Sequence, residues 1–142
     1  MSQINTVFGC GNFGEVTGMI STIQGNPQDY LDILKRNGIK YLDTARAYGT
    51  SEKVISQLKA EEQGFIIDTK IISFGPGYHT EDKLKESFKK SLEELGTKKV
   101  HILYLHAPDR GTPFEETLKA INDIYKEGSF EKVRNLLRFM LF

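Results

Sequence analysis

The stretch that decides the fold of this chain is Tyr41-Leu42-Asp43-Thr44-Ala45-Arg46-Ala47-Tyr48-Gly49-Thr50-Ser51-Glu52. An apolar, β-rich run at residues 39–42 predicts a strand that ends within this stretch, and a helix is predicted from Ser51. Asp43 therefore lies at the end of a strand, and Tyr48 follows in the loop before the helix. Proteins built from βα units place their active sites at such strand ends.

Working outward, similar apolar runs predict strands at residues 6–8, 65–67 and 100–105. Strand and helix alternate at roughly 30-residue intervals, which indicates four consecutive βα units on a parallel sheet. The predicted helices run from the Asn26 cap and Pro27 to Gly38, from Ser51 towards Gly64, from Thr80 to Gly96, and from the capping box Thr112-Pro113-Phe114-Glu115 to Gly128.

Two architectures fit this alternation. A doubly wound open sheet is complete near this length, whereas an eight-fold βα barrel typically needs about 250 residues. The periodicity of the apolar residues does not distinguish these two architectures, so the residues of the candidate site have to decide between them. Gly9-Cys10-Gly11-Asn12-Phe13-Gly14 matches the dinucleotide fingerprint, but Thr17-Gly18 and Gly25-Asn26-Pro27 interrupt the helix that must open at these glycines. We therefore interpret the motif as a glycine-rich turn after the first strand.

Composition narrows the partners and the compartment. The 142 residues are 39% hydrophobic and 27% charged, which is ordinary for a soluble domain. Nineteen basic and nineteen acidic residues cancel, so neither a nucleic acid nor an anionic membrane is expected as a partner. Cys10 has no second cysteine to pair with, and neither a signal peptide nor a membrane span is visible. A cytoplasmic protein is expected.

Taken in order, four residues carry a family resemblance. Asp43 and Tyr48 belong to the second strand and its loop, Lys70 ends Asp68-Thr69-Lys70 on the third strand, and His106 ends Leu103-Tyr104-Leu105-His106 on the fourth. In this order the sequence resembles the aldo-keto reductase family. The resemblance implies the N-terminal half of a TIM-type (β/α)8 barrel, with about four of eight units in residues 1–130. Residues 106–109, 112–118 and 126–128 look like the aflatoxin-aldehyde (succinic semialdehyde) reductase branch.

The resemblance also implies a chemistry. In the family, NADPH delivers hydride to the carbonyl of an aldehyde or ketone, and the forming alcohol needs a proton. An ammonium beside a phenol favours the phenolate and so makes the phenol a better acid. By resemblance Tyr48 is the general acid, Lys70 its electrostatic partner and Asp43 the residue that orients Lys70, while His106 positions the carbonyl oxygen.

The cofactor contacts that the resemblance implies are fewer. Gly9, Cys10 and Gly11 occupy the place of the first cofactor contact, with Cys10 where relatives often carry threonine and Gly11 where they carry methionine. In the family, the other contacts come from later strands. The first of these is a fifth strand with a Leu-Ser-Asn motif, and this sequence does not contain that motif. His79 and His101 are assigned no role, and no metal site is expected.

Residues 131–142 are predicted to be a divergent tail. Val133, Leu136, Leu137, Met140 and Leu141 fall on one face of an amphipathic helix. This helix covers apolar surface left by the missing half of the barrel, or its periodicity is the accident of a truncated or frame-altered end. A membrane-surface helix is a third alternative.

Four parallel strands do not close such a barrel, so the first and fourth strands are expected to have open edges and to promote self-association. Two functions stay open. One is an NADPH-dependent aldehyde or ketone reductase that acts on small carbonyl substrates and is impaired in this truncated chain. The other is a catalytically silent fragment or a regulatory relative of the family.

Overall fold

A computed structural model describes residues 6–14 and 25–135 of the chain. Within these ranges, five strands alternate with four helices along the sequence. Their bounds are β1 (Val7–Gly9), α1 (Pro27–Arg36), β2 (Tyr41–Asp43), α2 (Ser51–Gln57), β3 (Ile66–Ile71), α3 (Glu81–Leu95), β4 (Val100–Leu105), α4 (Phe114–Lys126) and β5 (Phe130–Asn135).

The strands form one parallel sheet in the order β1-β2-β3-β4-β5. Each βα unit therefore adds its strand to the same growing edge of the sheet. A doubly wound sheet instead reverses its strand order at a switch point, where the second half begins on the other side of the first strand. The sequential order decides between the two architectures in favour of consecutive units of a barrel.

The helix ends show how far local signals reach. The Asn26 side chain accepts a hydrogen bond from the Gln28 N–H and Pro27 begins α1, as predicted. Gly96 ends α3 in the left-handed conformation that favours glycine. The second helix is shorter than predicted, because Lys59 takes a positive φ of 51° and turns replace the helix beyond Gln57.

The predicted capping box of α4 does not form. The helix begins one residue later than predicted, at Phe114, with Pro113 as the cap residue and no side-chain cap hydrogen bond. The Thr112 hydroxyl instead donates to the Asp109 carboxylate at 2.6 Å. A hydroxyl makes a stronger hydrogen bond to an ionised carboxylate than to a backbone N–H. Thr112 therefore bonds to Asp109 in the loop and does not cap the helix.

The fifth strand corrects the prediction for the tail. Residues 133–135 belong to β5, which pairs with β4 from Val100↔Phe130 to Leu105↔Asn135, and are not helical. Pairing satisfies the backbone groups along β4, and Phe130 is buried against the rings of Phe88 and Tyr125. These long-range contacts outweigh the local apolar spacing. The rest of the predicted helix lies outside the described residues. Within the ranges that the structure describes, the outer strands of the sheet are β1 and β5 rather than β1 and β4.

The core lies between the sheet and the helices that cover one of its faces. Leucine, isoleucine and phenylalanine side chains from both layers supply most of it, and Leu31, Leu84 and Leu103 are fully buried. None of the helices in the described ranges is long and apolar enough to cross a membrane. Because the strands are parallel, the carboxyl ends of β2, β3 and β4 lie together. They form what we call the carboxyl edge of the sheet, where the loops carry the polar residues.

Candidate active site

The first contact at this edge joins β2 to β3. Lys70 donates a hydrogen bond from Nζ to Oδ2 of Asp43 at 2.5 Å and to the backbone oxygen of Thr44 at 2.9 Å. The Lys70 side chain is only 8% exposed. A buried ammonium needs a partner that compensates for lost hydration, and Asp43 supplies it. The structure thus brings together two of the four predicted residues.

Tyr48 is placed by the loop between β2 and α2. Its backbone N–H donates to the backbone oxygen of Ala45 at 2.9 Å, and its backbone oxygen accepts from the Ser51 N–H at 3.1 Å. The resulting turn brings the ring over the buried ammonium, with Lys70 Nζ 4.9 Å from the ring centroid. The phenol, the ammonium and the carboxylate of Asp43 therefore form one cluster.

His106 completes the cluster from the end of β4. Its ring stands edge-on to Tyr48, with centroids 5.5 Å apart and planes at 88°. Burial lowers the pKa of the imidazole, and the Lys70 ammonium lowers it further, against an opposing effect of Asp43. A neutral ring has one N–H to donate. Its Nδ1 is buried without a hydrogen-bond partner among the described residues, which costs free energy until a polar partner arrives.

A second set of residues behind the cluster was missed by the sequence interpretation. Glu52 is 1% exposed on α2 and accepts hydrogen bonds from the Thr69 hydroxyl at 2.6 Å and from Arg46 at 3.1 Å. The Arg46 backbone N–H also donates to the Lys70 oxygen at 3.0 Å. These contacts fix both ends of the loop that carries Tyr48. The sequence signal for these residues was that Arg46 and Glu52, which carry opposite charges, both lie in the stretch at residues 41–52. Charge alone, however, does not predict that such residues are buried.

The predicted cofactor contacts lie at the end of β1, beside the same cluster. The Cys10 N–H donates to the Asp43 oxygen at 2.8 Å, but the thiol is fully buried. Burial, with the Asp43 charge adding to it and Lys70 opposing it, raises the pKa of this thiol to about 12. The Cys10 backbone oxygen also accepts hydrogen bonds from the Ser51 hydroxyl at 2.7 Å and the Phe13 N–H at 3.0 Å, so Cys10 has a structural role and its predicted cofactor contact stays a prediction. Space is open around Gly9, while a Cβ built on Gly11 would lie 3.8 Å from the Tyr48 ring.

The last glycine of the motif serves a different purpose from pyrophosphate binding. A Cβ on Gly14 would lie 2.7 Å from both the Thr50 nitrogen and the Tyr48 oxygen, and closer still to the Ser51 nitrogen. All three are backbone atoms, which have little freedom to move away. Gly14 therefore lets the β1 loop approach the turn that carries Tyr48.

We expect Gly14→Ala to lower the free energy of unfolding by about 3 kcal/mol, because its methyl group overlaps backbone on three sides. Chemical denaturation followed by far-UV circular dichroism measures this loss. Gly9→Ala is the matched control, since a Cβ there meets nothing within 4 Å and should change stability by less than about 1 kcal/mol. Equal losses in the two variants would contradict the close approach at Gly14.

Comparison with known proteins now adds to this geometry. The sequence matches the Aldo/keto reductase family over residues 7–135. It is 40% identical over 134 residues to the oxidoreductase sirO of Leptosphaeria maculans, which covers 88% of this chain and 40% of that protein. An aldo-keto reductase of Pseudocercospora fijiensis is 42% identical over 108 residues, covering 72% of this chain and 36% of that protein.

Solved structures agree in fold. The holo form of an aldo-keto reductase from Bacillus halodurans superimposes with a TM-score of 0.73 at 25% identity, over 93% of this chain and 46% of that chain. The four predicted βα units are thus confirmed as part of a TIM-type barrel. The chain spans 40% and 36% of the two fungal relatives' lengths. Because the family match runs from β1 into β5 and covers most of the chain, the chain belongs to the aldo/keto reductase family, as its sequence predicted.

Proposed function

We propose that this site serves the NADPH-dependent reduction of aldehydes and ketones to alcohols. The single observation that carries the proposal is the cluster at the carboxyl edge of the sheet, in which Lys70 bridges the Asp43 carboxylate and the Tyr48 ring. An ammonium in this place stabilises the negative charge that a phenol acquires when it donates its proton.

Each residue then has a separate task. A reduced nicotinamide, when bound, would supply a hydride for the carbonyl carbon. The Tyr48 hydroxyl donates its proton to the carbonyl oxygen, and the Lys70 ammonium stabilises the charge left on the phenol. Asp43 holds Lys70 in place through their contact. The neutral His106 ring donates a hydrogen bond that orients the carbonyl oxygen.

The described residues suit the reacting end of the cofactor. Open space around Gly9 and the backbone of Gly11 beside the Tyr48 ring leave room for a flat group near the proton donor. The unpaired Nδ1 of His106 adds a polar atom that still lacks a partner among the described residues. By family resemblance, the pyrophosphate and the 2′-phosphate are held by later strands of the barrel.

The proposed substrate class is aldehydes. Rat aflatoxin B1 aldehyde reductase member 2 is 34% identical over 99 residues, which cover 66% of this chain and 27% of that protein. Its name states an aldehyde substrate, and the resemblance noted at residues 106–109 and 112–118 is to the same branch. Loops set substrate choice in such barrels, so the class is proposed and not a particular aldehyde.

A second candidate is a silent or regulatory member of the family. A probable voltage-gated potassium channel subunit beta of Arabidopsis thaliana is 32% identical over 108 residues, covering 69% of this chain and 33% of that protein. This candidate retains the site residues without turnover and predicts no NADPH binding by the chain. The similarity to a protein that is named as a channel subunit favours this candidate.

Titration of the chain into NADPH, followed by cofactor fluorescence, separates the two candidates. Saturable binding in the micromolar range is expected for the reductase. Gly9→Val fills the open space at the site and should weaken that binding at least tenfold, whereas Lys99→Gln, at the opposite edge of the sheet, should leave it unchanged. No fluorescence change with the unmodified chain would favour the silent candidate.

We also propose that the chain self-associates through its sheet edges. In the described ranges β1 and β5 each pair on one side only, and the exposed fractions of Val7 and Val133 are 49% and 44%. Unpaired, apolar edge strands pair readily with other chains.

Light scattering after size exclusion should therefore give a mass that rises with concentration above the 16.1 kDa of one chain. Lysine blocks edge pairing, so Val7→Lys and Val133→Lys together should restore the single-chain mass. Leu118→Lys, on the exposed face of α4, is the control and should change nothing. A mass of one chain at every concentration would contradict self-association.

A further inference from the structure

Asp109 joins two of the loops at the carboxyl edge of the sheet. It lies in the loop between β4 and α4, and its carboxylate reaches the loop between β3 and α3. Partial desolvation raises the pKa of this carboxyl, but four hydrogen bonds outweigh that effect and hold the pKa well below its usual range. Oδ1 accepts from the N–H groups of Gly77 at 3.1 Å and Gly111 at 2.8 Å, and Oδ2 from the His79 N–H at 2.9 Å and the Thr112 hydroxyl at 2.6 Å.

A buried histidine near the end of the β3–α3 loop contacts a serine near its start. His79 is 2% exposed, and its Nε2 lies 2.7 Å from the Ser73 hydroxyl. Burial lowers the pKa of this ring, against the opposing charge of Asp109, and its Nε2 shares a hydrogen bond with the Ser73 hydroxyl. Ser73 is equally buried, which excludes it as a nucleophile for an outside substrate. The hydrogen bond between Ser73 and His79 therefore stabilises the conformation of the β3–α3 loop.

The held loop presents one aromatic residue to the candidate active site. Phe74 follows Ser73 directly, and its ring lies 5.0 Å from the His106 ring at an angle of 57°. Its side chain is nonetheless 63% exposed, the largest exposed fraction among the large hydrophobic residues of the described ranges. An aromatic ring this exposed gains little from folding. It is, however, placed beside His106, which would hold a carbonyl oxygen and whose ring also contacts that of Tyr48.

We infer that Phe74 determines specificity, by packing against a flat apolar substituent on the carbonyl substrate, and that Asp109 is the positioning residue that holds the Phe74 loop. The inference rests on the proposed function insofar as a carbonyl compound, or the alcohol made from it, binds beside His106. The Phe74 ring can stack on an aromatic substituent, and it makes a smaller and weaker contact with a short alkyl chain. The site should therefore prefer aromatic aldehydes and alcohols to short aliphatic ones.

Binding of two alcohols tests this without hydride transfer. Benzyl alcohol and butan-1-ol are titrated into the full chain, and the His106 ring-proton signal, assigned with His106→Gln, reports binding by nuclear magnetic resonance. Phe74→Ala should weaken benzyl alcohol about tenfold and butan-1-ol less than twofold. Phe74→Tyr keeps the ring and should retain the preference for benzyl alcohol. An unchanged preference in Phe74→Ala, or no saturable shift with either alcohol, would overturn the assignment of Phe74.

The role of Asp109 is tested by combining variants. Asp109→Asn turns an N–H₂ group towards donors and should reduce the aromatic preference about threefold. If Asp109 acts through Phe74, the double variant Asp109→Asn/Phe74→Ala should lose no more preference than Phe74→Ala alone. Additive losses, or a lower melting temperature with the preference intact, would overturn the positioning role. Because no step uses NADPH, failure of this inference and failure of the proposed reduction give different results.

Discussion

Replacement of Tyr48 by phenylalanine is expected to lower the rate of NADPH-dependent reduction of 4-nitrobenzaldehyde by about two to four orders of magnitude. The variant keeps the ring that lies over Lys70 and beside His106, so the fold and the approach of the cofactor should not change. It removes only the hydroxyl that supplies the proton. Absorbance at the NADPH band measures the rate, and cofactor fluorescence measures NADPH affinity, which should stay the same.

Tyr104 provides a matched control for this variant. It lies on β4 with its ring 5.8 Å from the same Lys70 ammonium, and burial raises the pKa of its hydroxyl. Burial thus makes Tyr104 a poorer acid. Tyr104→Phe should therefore retain most of the activity. If Tyr104→Phe lost more activity than Tyr48→Phe, the proton donor would be Tyr104 and not Tyr48, and our proposal would be wrong.

Replacement of Asp43 by asparagine is expected to lower the free energy of unfolding by about 3 kcal/mol. Asparagine has nearly the same shape but no charge, so the Lys70 ammonium is left buried without its counter-charge. Removing one partner of a buried ion pair costs much more than the pair itself contributes. Urea denaturation at neutral pH measures the loss.

The double variant Asp43→Asn/Lys70→Met checks the cause of that loss. With the ammonium removed as well, no charge remains buried, so the double variant should be more stable than Asp43→Asn alone. Glu131→Gln is the surface control, because Glu131 and Lys99 are about half exposed and such pairs contribute less than about 1 kcal/mol. A double variant whose loss equals the sum of the single losses would contradict the coupling between Asp43 and Lys70.

The sequence was sufficient where a local signal met no competing contact. Asn26 and Pro27 begin α1 and Gly96 ends α3, because a cap or a left-handed residue acts on its own turn of helix. The alternation of apolar runs and helices predicted parallel βα units, and parallel strands place Asp43 and Lys70 at one edge. The order of the predicted residues along the chain identified the family that the comparisons confirm. Their catalytic roles stay predictions.

Only the tertiary structure decided the remaining features, because they depend on partners distant in sequence. The apolar spacing from Val133 onward suggested a helix, but the open edge of β4 makes residues 130–135 a strand. Thr112 leaves its predicted cap for a carboxylate in the loop. The burial of Glu52 and the meeting of Phe74 with His106 likewise join different βα units. Local spacing does not encode such contacts, since they form only when the units pack side by side.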